Sequence, residues 1–207
     1  TYNSLGYDGV STQGGYSQKI VVDEHFVVRI PQGIALQEAA PLLCAGITMY
    51  SPLRHWRVGP GSRVAIVGLG GLGHVGVLMA RAMGARVTVL DLAPAKRDAA
   101  LALGAHDFRL ADGQTAAALA SQFDLVISTV PASLDLANFL GLLDLDGTLV
   151  TLAAPKEPLQ LPAAALLLNR RSIAGTRSGG LAQTQEMLDF CAAHGIAARV
   201  EVIHADA

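Results

Sequence analysis

Cysteine is nearly absent from this chain, with Cys44 and Cys191 the only two among 207 residues. Two thiols so far apart build neither a disulfide framework nor a closed zinc finger, and they suit a reducing cytoplasm. An excess of charge of one sign is missing too. Fifteen Lys and Arg against seventeen Asp and Glu leave a net charge of −2, which excludes the basic footprint of a nucleic-acid or anionic-membrane binder. No apolar run reaches the roughly 18 residues that a membrane helix needs. The opening TYNSLGYDGVSTQGGYS lacks the basic, apolar and cleavage regions of a signal peptide. It also lacks an initiator methionine, and the chain stops at HADA just after an expected strand, so both ends read as cut.

Hydrophobic residues make up 51% of the chain, with few aromatics, and the length allows one large domain or one domain plus a fragment. Residues 16–31, YSQKIVVDEHFVVRIP, predict two short strands. Residues 35–56 are helical in composition, with Pro41 and Pro52 expected to split or kink them. From residue 63 the pattern becomes regular. Strands are predicted at 63–68, 85–91, 105–110, 123–130, 147–154 and 171–176. Helices fall at 71–84, 93–104, near 114–120, near 133–143 and at 182–195, and a last strand at 198–203. Continuous β-branched runs such as RVAIVG suit strands buried on both faces. Their alternation with helices predicts an α/β fold, a doubly wound parallel sheet with right-handed crossovers.

The segment VGLGGLG places Gly68, Gly70 and Gly73 in G-x-G-x-x-G register, with Leu69, Gly71 and Leu72 between them. Alone this is a weak pattern. Here a strand precedes it, a helix opens within it, and the next strand ends on Asp91, which together describe a dinucleotide (Rossmann) turn. Gly68 permits the tight turn, Gly70 admits a diphosphate close to the backbone, and Gly73 lets the helix sit close to the strand. The helix N-terminus offers free N–H groups to phosphate. Asp91 can accept bonds from ribose hydroxyls and repel a 2′-phosphate, which favours NAD over NADP. Lys96 and Arg97 follow closely and offer a 2′-phosphate the opposite charge, although a solvated helix face accounts for them equally well.

These residues, with TQGGYSQKIVV, AAPLLCAGITMYSPL, GTLVTLAAP and AQTQEMLDFCAAHGI, resemble the zinc-dependent medium-chain alcohol dehydrogenases, in their cinnamyl-alcohol-dehydrogenase-like branch with its bacterial aldehyde reductases. The resemblance runs along the whole chain. It implies hydride transfer between NAD or NADP and an alcohol or aldehyde, assisted by zinc. By itself Cys44 reads as buried packing; the resemblance makes it one thiolate ligand of the catalytic zinc. It also sets Thr48 against the nicotinamide, lines that pocket with Thr129, Val130, Ala153, Ala154 and Pro155, and brings Thr176 and Arg177 over it. Where the branch carries small hydroxyl residues suited to NADP, this chain has Asp91 and Leu92. The family's Cys-x-x-His-x-Asp segment, Gly-His-Glu and four-cysteine lobe have no match here. The resemblance therefore implies residues 1–44 as a remnant of a GroES-like catalytic domain, 45–178 as the Rossmann domain and 179–207 as the return segment. It further implies a homodimer through edge strands near 170–178, and an isolated chain that binds dinucleotide with negligible turnover.

Two other readings stand beside it: a zinc-free quinone or enoyl reductase of the same fold, which would have no use for a thiolate at Cys44, and a module that senses a dinucleotide or binds a methyl donor without hydride chemistry. His25, His55, His74, His106, His194 and His204 show no metal-ligand spacing. His74, in the first turn after the glycines, reads as a partly exposed helix residue. Cys191 and Trp56 read as packing, and Asp144 with Asp146 as a turn before Gly147.

Overall fold

A computed structural model of the protein describes residues 5–11, 18–131 and 135–203. Helix α1 (Leu36–Ala39) passes at Pro41 into a 3₁₀ turn, Ala40–Leu43, and α2 (Ala45–His55) follows. Pro52 lies inside α2 without splitting it. The Pro52 carbonyl still accepts from Trp56 N–H at 3.0 Å, and Ile47, Met49, Tyr50 and Leu53 are buried. Packing of that apolar face outweighs the one lost donor.

The regular part begins with β1 (Arg63–Val67), α3 (Gly71–Ala82) and β2 (Arg86–Asp91). Gly84 ends α3 in the left-handed region, at φ 90°. The helix expected over 93–104 divides into a 3₁₀ turn, Pro94–Lys96, and α4 (Arg97–Ala102). Then come β3 (Asp107–Leu110), α5 (Gly113–Ala118), β4 (Phe123–Ser128) and α6 (Leu136–Gly141). Aspartates cap both short helices: Asp112 accepts from Thr115 N–H at 2.7 Å and Asp135 from Asn138 N–H at 3.3 Å. The chain continues through β5 (Leu143–Thr151), α7 (Ala163–Leu167), β6 (Ser172–Gly175) and α8 (Leu181–Ala193).

The six strands form one sheet in the order β3-β2-β1-β4-β5-β6, and every neighbouring pair is parallel. The direction of winding reverses between β1 and β4, which opens a crevice at the carboxyl ends of those strands. Both faces are covered. Val64 and Ile66 join a core that also holds Met49, Val75, Met187 and Leu188, whereas Ala65 and Val67 join another with Leu136 and Leu140. Asp144 and Asp146 sit not in a free turn but in an irregular stretch of β5, where Phe123 pairs with Leu143 and Leu125 with Thr148. Asp146 takes φ 62°, while Asp144 accepts from Arg63 at 2.9 Å. Arg63 also pairs with Asp124 and thus ties the amino ends of three strands.

Three expected strands, two within 16–31 and one at 198–203, have no counterpart among the described residues. Residues 18–31 hold only a 3₁₀ turn, Glu24–Phe26, among the described residues, and 198–203 carry no strand. Most of their β-branched residues stand in water, Val21 100% and Val202 73% exposed, although Val28 and Ile30 pack partly against the core. A strand needs a hydrogen-bonding neighbour, and none lies beside either segment among the described residues.

Candidate functional site

The crevice at the switch point is built by the glycine turn. Gly68 follows β1 at φ 92°, and a Cβ there would stand 2.7 Å from Thr129 Oγ1, so only glycine fits. A Cβ on Gly73 would meet the Gly68 carbonyl oxygen at 2.0 Å; α3 thus starts directly against the turn. Gly70 and Gly71 differ, because nothing lies within 4 Å of a Cβ added to either. Their faces open outward. No side chain caps α3 at Gly70, and its first intrahelical bond runs from His74 N–H to the Gly70 carbonyl at 3.0 Å. The amides before it are the free donors of a helix start. An anionic group with a flat approach fits that cradle.

A cavity of about 770 Å³ opens beside it, lined by Gly68, Leu69, Gly70, Asp91, Thr129 and Val130 among others. Lys96 lies on its wall, as do Asp112 and Asn138, which sequence reasoning did not single out; the aspartate cap of a short helix at this edge was the available signal. Thr129 Oγ1 donates to the Val67 carbonyl at 2.9 Å, which fixes β4 against the turn.

Asp91 is turned inward. Its side chain is 8% exposed and 2.9 Å from Lys96 Nζ. It also accepts from Leu69 N–H at 2.7 Å and Ala93 N–H at 2.9 Å. Burial alone would raise its pKa, but the two backbone N–H groups and Lys96 together hold the carboxyl below the usual range. The carboxylate is ionised, and it latches the glycine turn to the end of β2.

The remaining candidates surround the neighbouring part of the edge. Val130 and Ala153 line a second small cleft with Thr151 and Pro155, and the Ala153 carbonyl accepts from Thr151 Oγ1 at 2.8 Å. Thr176 N–H donates to the Thr151 carbonyl at 3.2 Å. Thr48 is buried and its Oγ1 donates to the Arg177 carbonyl at 3.0 Å, bringing α2 to the segment after β6. Leu72 packs partly into the core; Ala154 is exposed.

Cys44, against the packing reading, is exposed and caps α2. Its backbone carbonyl takes the Thr48 N–H at 3.1 Å. Among the described residues no three His, Cys, Asp or Glu side chains stand where they could hold a metal. By themselves those residues do not complete a catalytic zinc site, and Cys44 could supply one ligand of it at most. Cys191 is fully buried, and burial pushes its thiol up to about 12. Trp56 packs on the core and edge-on to His55. His204 lies outside the described residues.

A glycine turn at the switch point of a 3-2-1-4-5-6 sheet defines a doubly wound α/β domain of the Rossmann type. A family model, zinc-binding dehydrogenase, matches residues 71–193, and the chain belongs to that family. It is 57% identical over its full length to the NADP-dependent alcohol dehydrogenase C of Mycobacterium bovis, of which it covers 60%. A cinnamyl alcohol dehydrogenase from Sorghum bicolor superposes with TM-score 0.94 at 42% identity, over 99% of this chain and 59% of that one. One from Helicobacter pylori, complexed with NADP(H), gives 0.89 at 38%, over 98% and 59%. The chain thus spans about three-fifths of its relatives' length.

Proposed function

We propose that this chain is the coenzyme-binding part of an NAD(P)-dependent oxidoreductase of alcohols and aldehydes, flanked at 1–44 and 179–207 by pieces of a catalytic domain. The observation that carries the reading is the uncapped start of α3, whose Gly70 and Gly71 faces are open beside a cavity of about 770 Å³. The amides of the turn bind the coenzyme diphosphate, and the cavity beyond Asp91 takes the adenosine. Thr129, Val130, Ala153, Thr48 and Thr176 lie toward the other end of the sheet edge, where they bound the nicotinamide. Bound nicotinamide supplies the hydride donor or acceptor; this chain's residues orient it and exclude water from one face. Cys44 stands exposed ahead of α2, and in this reading its thiolate faces the catalytic domain as a metal ligand.

The coenzyme preference in this reading is NAD. Among the described residues, Lys96 is the one basic side chain lining the cavity, and Asp91 already holds it at 2.9 Å. An ionised Asp91 at the ribose end repels a 2′-phosphate. The supporting test is fluorescence titration of the chain with NADH and NADPH. NADH is expected to bind at least tenfold tighter, and Asp91→Ser is expected to reverse or erase that ratio by freeing Lys96. Tighter NADPH binding by the wild-type chain overturns the preference; stabilisation by S-adenosylmethionine alone overturns the oxidoreductase reading. A homodimer through the β6 edge is part of the proposal. Leu167 and Leu168 are 79% and 64% exposed beside that strand, and a monomer in sedimentation at micromolar concentration would contradict it. No helix among the described residues is long and apolar enough to cross a membrane, and the cysteine usage fits a cytoplasmic protein.

A further inference from the structure

We infer that His74 is a positioning residue that couples the glycine turn to the chain returning at residues 196–199, so that coenzyme occupancy and the placement of that segment depend on each other; this rests on the coenzyme reading above. The imidazole contacts backbone groups through both of its nitrogens. Its Nδ1 lies 3.3 Å from the Gly70 carbonyl, and its Nε2 lies 3.3 Å from Arg199 N–H. A carbonyl can only accept and an amide can only donate. Nδ1 therefore carries the hydrogen and Nε2 is bare, and one neutral tautomer satisfies both contacts. His106 shows how unusual that agreement is: its Nδ1 accepts from Val87 N–H at 3.0 Å while Nε2 faces the Arg81 guanidinium at 2.9 Å, two donors around a ring with one acceptor.

The His74 bridge joins the glycine turn to the segment after α8. Gly70 precedes the first turn of α3, so a shift of its carbonyl shifts the diphosphate amides. At the other end, Gly195 turns the chain after α8 at φ 62°, and Ile196 and Ala198 are buried in the same core as Val75. Arg199 is where the chain leaves that core. Residues 198–203 have no strand neighbour among the described residues, so the imidazole is the partner that Arg199 N–H has. A coenzyme that fixes Gly70 then firms the Arg199 bond, and by reciprocity a broken bond loosens the coenzyme.

The experiment compares wild type, His74→Phe, which keeps a ring of similar size without nitrogens, and His74→Gln, whose amide can still reach Arg199 as acceptor. Amide exchange at Arg199 is followed by NMR with and without NADH, alongside the NADH Kd and the Tm. His74→Phe is expected to speed Arg199 exchange in the unliganded chain and to weaken NADH about three- to tenfold, the effect of one hydrogen bond, with little change in Tm. NADH should slow Arg199 exchange in wild type and not in His74→Phe, and His74→Gln should recover part of both effects. Equal Arg199 exchange in wild type and His74→Phe overturns the bridge. An unchanged NADH Kd, or weakening that His74→Gln does not relieve, overturns the coupling. If wild type binds no NADH, the coenzyme reading fails, while Arg199 exchange in the unliganded variants still decides the bridge.

Discussion

Residues 63–67 and 18–28 make an instructive pair. Both are rich in Val and Ile, and both read as strands. RVAIV becomes β1, bonded on one side to β2 and on the other to β4, with Val64, Ala65 and Ile66 fully buried. KIVVDEHFVV becomes extended chain around one 3₁₀ turn, with Ile20, Val21 and Phe26 exposed. The difference lies in neighbours. β-propensity describes fitness for a pleated, half-buried surface rather than an intrinsic backbone choice. It produces a strand only where another strand accepts the hydrogen bonds.

The contrast can be broken most severely at the glycine turn. Gly73→Ala forces a methyl to 2.0 Å from the Gly68 carbonyl, and we expect a loss of about 3 kcal/mol or more in urea unfolding. Gly71→Ala meets open space and should leave stability within about 0.5 kcal/mol while weakening NADH. If the two variants behave alike, structure and ligand binding are not divided between these glycines as described. A smaller effect separates the two strand-like regions. Ile66→Ala should cost about 2–5 kcal/mol by emptying the core, whereas Val21→Ala should fall within about 0.5 kcal/mol. A comparable cost at Val21 would show that residues 18–27 are packed.

The smallest expected effect is a pH dependence at the amino end of β3. Burial, then the charges of Arg81 and Arg86, lower the pKa of His106 from its ordinary 6.5. The folded chain therefore binds this proton less readily than the unfolded one. The contribution is whole above pH 6.5 and is lost as pH falls through the depressed native value. His106→Asn keeps an acceptor for Val87 N–H and should flatten that part of the acid limb in urea midpoints measured from pH 7.5 to 5.

The sheet and the glycine turn were legible because their signals are local: β-branched runs in the central strands, the helices between them, and glycines at fixed offsets. Asp91 at the end of the second strand was legible by position but not by direction. Its turn toward Leu69 N–H and Lys96 follows from how the 3₁₀ turn after β2 folds back, which no spacing encodes. Cys44 shows the opposite failure. An apolar neighbourhood in sequence predicted burial, yet its place at the junction of a 3₁₀ turn and α2 leaves it exposed. His74 was placed correctly in the first turn of α3, but its bridge to Arg199 joins residues far apart in the chain and needed the tertiary fold. The irregular stretch of β5 around Asp146 likewise depends on a cross-strand register that sequence alone does not carry.

One titration bears most directly on the central claim that the free amides of the glycine turn hold a dinucleotide. NADH added to isotope-labelled chain should move the backbone amide resonances of Gly70 to Gly73 most, saturably, with Asp91 and Thr129 following the same curve. Saturable shifts centred away from these residues, or none at the turn up to millimolar NADH, would contradict it.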